Sequence, residues 1–172
     1  MSHADREVVT SGPVLTLARF REGDVEAVHV FASDRVVCRF TGWSPNTLGD
    51  TRAFIADAVQ CRSDRFDLAV VRGVEFLASA SVWTMSPEHR VGGLGYTIRR
   101  DRWSRGYTTE VPRLLPALGS DQSGLERLAA TLDPPTRPLC GCWRRRVSDA
   151  RGCYVGCCSS AVEGETASCS AV

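Results

Sequence analysis

A short basic segment ahead of a helical stretch holds the residue types that most clearly point to chemistry. Arg102, Arg105 and Gly106 lie between a strand-like segment that ends at Ile98 and a helical stretch that begins at Thr108. Backbone N–H groups at a helix N-terminus are unpaired, and the helix dipole adds positive potential there. Glycine allows close approach to the backbone, and the arginines add charge. The segment therefore predicts an anion site suited to a pyrophosphate, with a turn of solvated arginines as the alternative.

Strand and helix patterns alternate on both sides of this segment. Thr47 followed by Asp50 is typical of a capping box, Asp24 is expected to cap the helix after it, and Gly73 lies in a predicted hairpin connection. Strand patterns cover 14–19, 66–71, 75–82, 94–98 and 128–132, and helical patterns cover 25–32, a stretch after Thr47 with the buried stripe Phe54, Ile55, Ala58 and Val59, and 108–118. The order β-α-α-β-β-β-α-β predicts an α/β (α+β) fold with a mixed sheet flanked by helices.

Two prolines lie inside the last helical stretch. Pro112 is near its first turns, and Pro116 is one turn further in. An interior proline removes a backbone donor and clashes with the preceding turn, at a cost of about 3 kcal/mol. We therefore expect Pro116 to kink or end the helix.

Length and charge limit the protein class. The 172 residues suit one domain, the formal net charge of +1 gives no bulk attraction to nucleic acid or to a membrane, and no apolar run is long enough to span a bilayer. Residues 1–13 are polar and lack the apolar region of a secretory signal. We expect this N-terminus to be disordered and the protein to be cytoplasmic.

The composition changes near residue 134. Only Cys38 and Cys61, of the eight cysteines, precede residue 140. Residues 135–172 lack apolar periodicity and are predicted to form a disordered tail. The tail cysteines between Cys140 and Cys158 could supply thiolates for zinc, but their spacing matches no common zinc module, so no metal is expected.

The wider basic segment resembles the acetyl-CoA signature of the GNAT superfamily of N-acetyltransferases. Gly95-Tyr96, followed by Trp103-Ser104-Arg105-Gly106-Tyr107-Thr108-Thr109-Glu110, is similar to the pattern of the branch that contains ribosomal-protein alanine and serine N-acetyltransferases. Leu15–Phe20 followed by Asp24 resembles the first strand and helix of that branch, and Leu125–Leu128 followed by Asp133-Pro134 resembles its fifth strand. The resemblance covers residues 14–134 and implies a mixed, mostly antiparallel GNAT sheet flanked by helices.

The resemblance also implies a site and a reaction. Acetyl-CoA would be the cosubstrate, an amine such as a protein N-terminus or a small amine the acceptor, and the protein a monomer or homodimer. The fourth and fifth family strands would separate around the thioester, and the backbone N–H near Ile98 would polarise its carbonyl. The implied cofactor-binding residues are Thr97, Ile98, Arg99, Trp103, Ser104, Arg105, Gly106, Tyr107, Thr108 and Thr109.

Several positions depart from the family pattern. Ser104 and Thr108 replace smaller residues where phosphate oxygens would approach, which predicts a weakened CoA site. Gly93 stands where a carboxylate is common, so Glu88, with His89 beside it, is the remaining candidate for the base that deprotonates the amine; a solvated loop is the alternative. A non-catalytic CoA-binding or interaction protein on a GNAT scaffold is therefore the second functional hypothesis.

The residues after Pro134 do not match the family. A helix reading Val-Leu-Glu-Lys-x-Gly-Phe is expected after Asp-Pro, and residues 135–143 contain none of it. Codons for Leu139–Trp143 read from their third bases encode Leu, Met or Val, then Arg or Trp, then Leu, Met or Val, then Leu, which is the apolar spacing of that helix. We hypothesise a one-base frame slip near codon 134, and we expect low activity from the chain as written.

Overall fold

The computed structural model describes residues 6–39, 41–60, 62–131 and 157–158. Most of the described chain forms one mixed sheet with helices on both faces, as predicted. In the described part of the chain, no helix is long and apolar enough to cross a membrane. The predicted tail, 135–172, lies outside the described residues except for the backbone of Cys157–Cys158.

The sheet has seven strands in the order of the sequence. They are β1 Val8–Ser11, β2 Thr16–Arg19, β3 Arg65–Arg72, β4 Glu75–Ser86, β5 Val91–Ile98, β6 Arg127–Thr131 and the two-residue β7 Cys157–Cys158. Pairing is antiparallel from β1 to β5 and parallel for β5–β6 and β6–β7. The predicted hairpin joins β3 and β4, with Gly73 at φ +57°, a backbone conformation that favours glycine.

The helices cover the two faces of the sheet unequally. They are α1 Val25–Ala32, α2 Arg35–Cys38, α3 Leu48–Ala58 and α4 Tyr107–Ser123. Leu68, Val82 and Leu94 pack with Leu115 of α4 on one face. On the other face, which we call the α1/α3 face, buried residues of α1 and α3 pack against the end of β3, at Ala69 and Val71, and the start of β4, at Phe76. Because strand side chains alternate between faces, each sheet position can be assigned to one of these two sides.

The capping box that begins α3 was predicted correctly. Thr47 Oγ1 accepts a hydrogen bond from Asp50 N, and Asp50 Oδ2 accepts one from Thr47 N at 2.8 Å. The Thr47 hydroxyl, which donates to Asp50 Oδ2 at 2.7 Å, and then the Thr47 N–H hold the pKa of the Asp50 carboxyl below its usual range. The buried stripe of α3 was also predicted correctly, because Ile55 is buried and Phe54 packs against the same cluster. The short helix α2, which Asp34 caps by accepting from the Val36 N–H at 2.8 Å, was not predicted.

Residues 6–13 correct the expectation of disorder for the part of the N-terminus that the structure describes. Residues 8–11 form β1, which pairs with β2, and Arg6 makes a bidentate ion pair with Asp24 in which both side chains are 5% exposed. Asp24 was expected to cap α1 through its side chain, and it does not. Its carboxylate instead accepts from Arg6 and from the backbone N–H of Arg21.

Helix α4 corrects the expectation for Pro116. The helix continues through Pro112 and Pro116 to Ser123, where Gly124 at φ +61° ends it. Both prolines are buried, so their rings contribute apolar packing that offsets part of the lost hydrogen bonding.

Candidate active site

The second half of β5 has an open edge in the described part of the structure. β5 pairs with β4 along its whole length, from Val91 to Ile98. It pairs with β6 only up to Leu94, which lies opposite Ala130. We call Gly95–Ile98 the open edge of β5.

The backbone of the open edge points toward the space beside β6. The N–H of Arg99 donates to the carbonyl of Leu77 on β4 at 3.0 Å. Backbone groups in an antiparallel pair alternate between the partner strand and the opposite side. The N–H of Ile98 is therefore directed away from β4, toward the side of the strand on which β6 lies.

The loop between β5 and α4 begins at this edge. The indole N–H of Trp103 donates to the carbonyl oxygen of Ile98 at 2.9 Å, which ties the loop to the strand. Ser104 and Gly106 have φ values of +60° and +83°. Gly106 adopts this left-handed conformation readily, whereas Ser104 adopts it at a cost of about 1 kcal/mol. The loop ends in the first turn of α4, where the Thr109 N–H donates to the Gly106 carbonyl at 3.0 Å and the N–H groups before it lie at the open N-terminus of the helix.

The arginines of the loop divide into paired and exposed groups. Arg99 pairs with Asp101, and Arg102 pairs with Glu75 and Asp101. The ion pairs of the described residues do not include the exposed Arg105. Arg102 was expected to supply charge to an anion, but in the structure it forms an ion pair with Glu75. Arg105, which lies directly before Gly106 and α4, is therefore the cation proposed to meet one, although Arg100 is also exposed and outside these ion pairs.

Two contacts fix the first turns of α4. Glu110 Oε1 accepts hydrogen bonds from the backbone N–H groups of Val14 and Leu15, both at 2.9 Å. Tyr96 Oη donates to the carbonyl of Thr108 at 3.3 Å. That carbonyl would normally accept from residue 112, and Pro112 has no N–H to give. Tyr96 thus replaces a hydrogen bond that the helix lacks.

Comparison with known proteins identifies the family. The model of the acetyltransferase (GNAT) domain family matches residues 15–136. This chain belongs to the GNAT acetyltransferase family. The uncharacterised N-acetyltransferase p20 of Bacillus licheniformis is 23% identical to it over 129 residues, which is 72% of each chain. The sequence-based assignment to GNAT acyltransferases is therefore confirmed.

Solved GNAT structures agree with the fold. A GNAT-family acetyltransferase from Bacillus anthracis superposes with a TM-score of 0.68 at 21% identity and covers 80% of each chain. RimL, the ribosomal L7/L12 alpha-N-protein acetyltransferase, superposes in its apo form with a TM-score of 0.70 at 15% identity, over 84% of this chain and 82% of RimL. RimL has also been determined with coenzyme A, with a TM-score of 0.69. At these identities the structures establish the fold alone.

The structure brings most of the GNAT residues expected from the sequence to one end of the sheet. Thr97 and Ile98 lie on the open edge of β5, Arg99 follows it, and Trp103–Gly106 form the loop. Tyr107, Thr108 and Thr109 form the first turn of α4. Arg72 donates to the Tyr107 hydroxyl at 3.1 Å, a contact that sequence reasoning missed.

Glu88 and His89 are not brought to this end of the GNAT domain. They are exposed in the turn between β4 and β5, at the opposite end of β5 from Ile98. The eight residues of β5 span about 25 Å at the usual strand rise. A shallow cavity of about 320 Å³, lined by Asp64, Thr84 and Arg90 among others, lies at the same remote end.

The Trp83 side chain fills the space over Gly93, the position where the sequence resemblance places a carboxylate. Trp83 lies directly across from Gly93, and a Cβ on Gly93 would meet the Trp83 indole at 2.2 Å. Any side chain at Gly93 would therefore displace Trp83. The described residues contain no group of three or more potential metal ligands, and the zinc alternative involving Cys140 lies outside them.

Proposed function

We propose that this chain transfers an acetyl group from acetyl-CoA to a primary amine, such as a protein N-terminus or a small amine. The observation that carries the proposal is the open edge of β5 beside the first turn of α4. An extended pantetheine arm with its amides could pair with this edge as a strand would. The outward backbone donors of the loop and of α4, with Arg105, would meet the pyrophosphate.

The same geometry supports a chemical step. The amine nitrogen attacks the thioester carbonyl carbon, negative charge develops on its oxygen, and the C–S bond breaks to release the thiolate. The N–H of Ile98, directed away from β4, is the candidate donor to that oxygen.

Relatives support the substrate class and the setting. RimL is an alpha-N-protein acetyltransferase whose structure has been determined with coenzyme A. We propose an amine acceptor of the same kind here, in the cytoplasm, for a monomer or homodimer. The strained Ser104 supports the further proposal that CoA binding and turnover are weaker than is usual in the family.

A non-catalytic CoA-binding protein is the second candidate. Gly93 under Trp83 favours it, because the carboxylate common at that position cannot be present. Under this second proposal the chain would bind acetyl-CoA at the same site but would not transfer the acetyl group.

Acetyl transfer and CoA binding can be measured on the same protein. Purified full chain would be incubated with acetyl-CoA and a peptide with a free N-terminal serine, and the acetylated peptide detected by mass. All 21 basic residues counted as Lys or Arg are arginine, so no lysine of the chain competes as acceptor. Thermal stabilisation by acetyl-CoA with product formation is expected. Stabilisation without product supports the second candidate, and no stabilisation contradicts both.

Arg105→Ala tests where the pyrophosphate binds, and Arg113→Ala, an exposed arginine further along α4, is its matched control. Loss of one charge-assisted contact predicts a KM for acetyl-CoA that rises about fivefold to tenfold in Arg105→Ala. Arg113→Ala should leave that KM unchanged. Equal KM values for the two variants would place the pyrophosphate elsewhere.

A further inference from the structure

A buried carboxylate on the α1/α3 face has no part in the site described so far. Asp67 on β3 is 6% exposed. Its Oδ1 accepts a hydrogen bond from the Ser81 hydroxyl at 2.5 Å, and Arg65 donates to both carboxylate oxygens at 2.6 and 2.9 Å. A buried carboxylate on a strand is costly unless it is paired. A buried Asp67 on this face therefore indicates a role beyond packing.

Asp67, Ser81 and Gly95 form one row across three strands. Asp67 lies opposite Ser81, and Ser81 lies opposite Gly95. All three belong to the α1/α3 face, because their neighbours Leu68, Val82 and Leu94 pack against α4 on the other. Neighbouring strands are about 5 Å apart. The row thus leads from a carboxylate to the open edge of β5 in two short steps.

Space is available at the β5 end of this row. Among the described residues, a Cβ on Gly95 would meet only the edge of the Trp83 ring, at 3.8 Å. Ser81 and Gly95 are each half-buried. A small group can therefore lie over Gly95, beside the Ser81 hydroxyl and against the rim of Trp83.

The orientation of the Ser81 hydroxyl favours an N–H donor as that group. Because its proton is donated to Asp67, its lone pairs are left to accept hydrogen bonds. The side chains of this row thus offer an acceptor backed by a negative charge.

We propose that the Ser81 hydroxyl, held by Asp67, receives the acceptor amine over Gly95 and takes its proton during acetyl transfer. The inference rests on the proposed function and names the acceptor half of the same site. The nitrogen forms its bond to the acetyl carbon, and its N–H proton passes to Ser81 Oγ as the Ser81 proton passes to Asp67 Oδ1. The thiolate leaves with the electron pair of the C–S bond, and Asp67 returns the proton to solvent or to the thiolate.

Arg65 and Trp83 lie on either side of the proposed acceptor site, Arg65 against Asp67 and Trp83 beside Gly95. The hydrogen bond to Asp67 raises the pKa of Arg65, so its guanidinium stays charged and balances the carboxylate while the site is empty. Arg65 also lies over the Trp83 ring at 5.7 Å from its centroid. Ser81 touches the amine and is the catalytic residue of the proposal, whereas Asp67 acts through Ser81 and is a positioning residue.

Substitution of the hydroxyl tests the inference without disturbing the buried ion pair. Ser81→Ala removes the acceptor, Ser81→Thr retains a hydroxyl in a residue that suits a strand, and Ser79→Ala is the control on the same strand and face. Three quantities would be measured on the full chain: acetyl transfer to a peptide with N-terminal serine, amine-independent hydrolysis of acetyl-CoA, and thermal stabilisation by acetyl-CoA.

The expected pattern separates the acceptor site from the CoA site. Ser81→Ala should lower kcat for peptide acetylation about 100-fold, in the range of general-base contributions, with hydrolysis and acetyl-CoA stabilisation unchanged. Ser81→Thr should recover most of the rate, and Ser79→Ala should stay within twofold of the unsubstituted protein.

Two results would overturn the inference alone: peptide acetylation by Ser81→Ala at the unsubstituted rate, or equal losses in Ser81→Ala and Ser79→Ala. A loss that Ser81→Thr does not recover, or one matched by lost acetyl-CoA stabilisation, would indicate a structural role and also overturn it. Absence of any amine acetylation by the unsubstituted protein would overturn the proposed function and, with it, this acceptor site.

Discussion

The two halves of β5 have the same backbone conformation and opposite surroundings. Val91–Leu94, the closed half, pairs with both β4 and β6, whereas Gly95–Ile98, the open edge, pairs in the described structure with β4 only. In the closed half, Leu94 is 2% exposed and Gly92 has no room for a Cβ. In the open half, Gly95 has ordinary space above it.

The difference shows how one strand serves both stability and chemistry. Backbone donors in the closed half are paired within the sheet, whereas the N–H of Ile98 is directed away from β4, toward the side on which the proposed ligand would lie. Stability and ligand binding should therefore respond to substitutions in different halves. The following experiments test that separation, from the largest expected effect to the smallest.

Leu94→Ala should cost about 2–5 kcal/mol of unfolding free energy, because it empties a fully buried position against α4. Leu48→Ala is the control, since Leu48 is 40% exposed at the start of α3. Chemical denaturation of both variants measures the difference. A Leu94→Ala cost as small as that of Leu48→Ala would mean that the closed half is not a core element.

Gly92→Ala and Gly95→Ala compare the two halves directly. A Cβ on Gly92 would lie 2.8 Å from the backbone oxygen of Trp83, which cannot move without breaking the sheet, so we expect a loss of about 1–3 kcal/mol. Gly95→Ala should cost much less in thermal unfolding and should weaken amine acetylation, because its methyl fills the proposed acceptor space. The reverse order of stabilities would contradict the comparison.

Ser104→Gly should relieve backbone strain in the loop after the open edge. The gain should be at most about 1 kcal/mol, because relief of the left-handed conformation is partly offset by the greater freedom of glycine in the unfolded chain. Acetyl-CoA binding should tighten in calorimetry. Ser63→Gly, in a loop where φ is not positive, should instead destabilise the protein slightly.

Tyr96→Phe should lower stability by about 0.5–1 kcal/mol by removing the donor to Thr108. Pro112→Ala restores an N–H that can reach the same carbonyl, so the cost of Tyr96→Phe should vanish in the Pro112→Ala background. A double-mutant cycle of unfolding free energies measures this coupling. Additive costs would show that Tyr96 does not compensate for Pro112.

Local signals in the sequence predicted the parts of the fold that depend on local chemistry. The Thr47–Asp50 capping box and the Gly73 hairpin each lie within a few residues of chain, and both were found. The strand, loop and helix around Gly106 were predicted for the same reason, since they are adjacent in the sequence, and the binding of a pyrophosphate by this loop stays a prediction.

Features that depend on contacts distant in sequence were not predicted. The N-terminal strand β1 is held in part by the ion pair of Arg6 with Asp24, which lies eighteen residues further along the chain. The continuation of α4 through Pro116 depends on burial of the proline rings. Glu88 precedes β5 in the sequence, but chain order does not show that Glu88 and the proposed CoA loop lie at opposite ends of that strand. Asp67 gave no signal, because a carboxylate within an apolar run is understood only when its partners are known.

The buried ion pair between Arg6 and Asp24 should protect the peptide bond after Arg6 from trypsin. Trypsin cleaves after arginine, and the Arg6 side chain is 5% exposed, whereas arginines such as Arg52 and Arg113 lie exposed on helices. Release of a fragment ending at Arg6 would therefore report opening of β1. Because the adjoining turn binds Glu110 at the start of α4, a ligand that steadies that helix should slow the release.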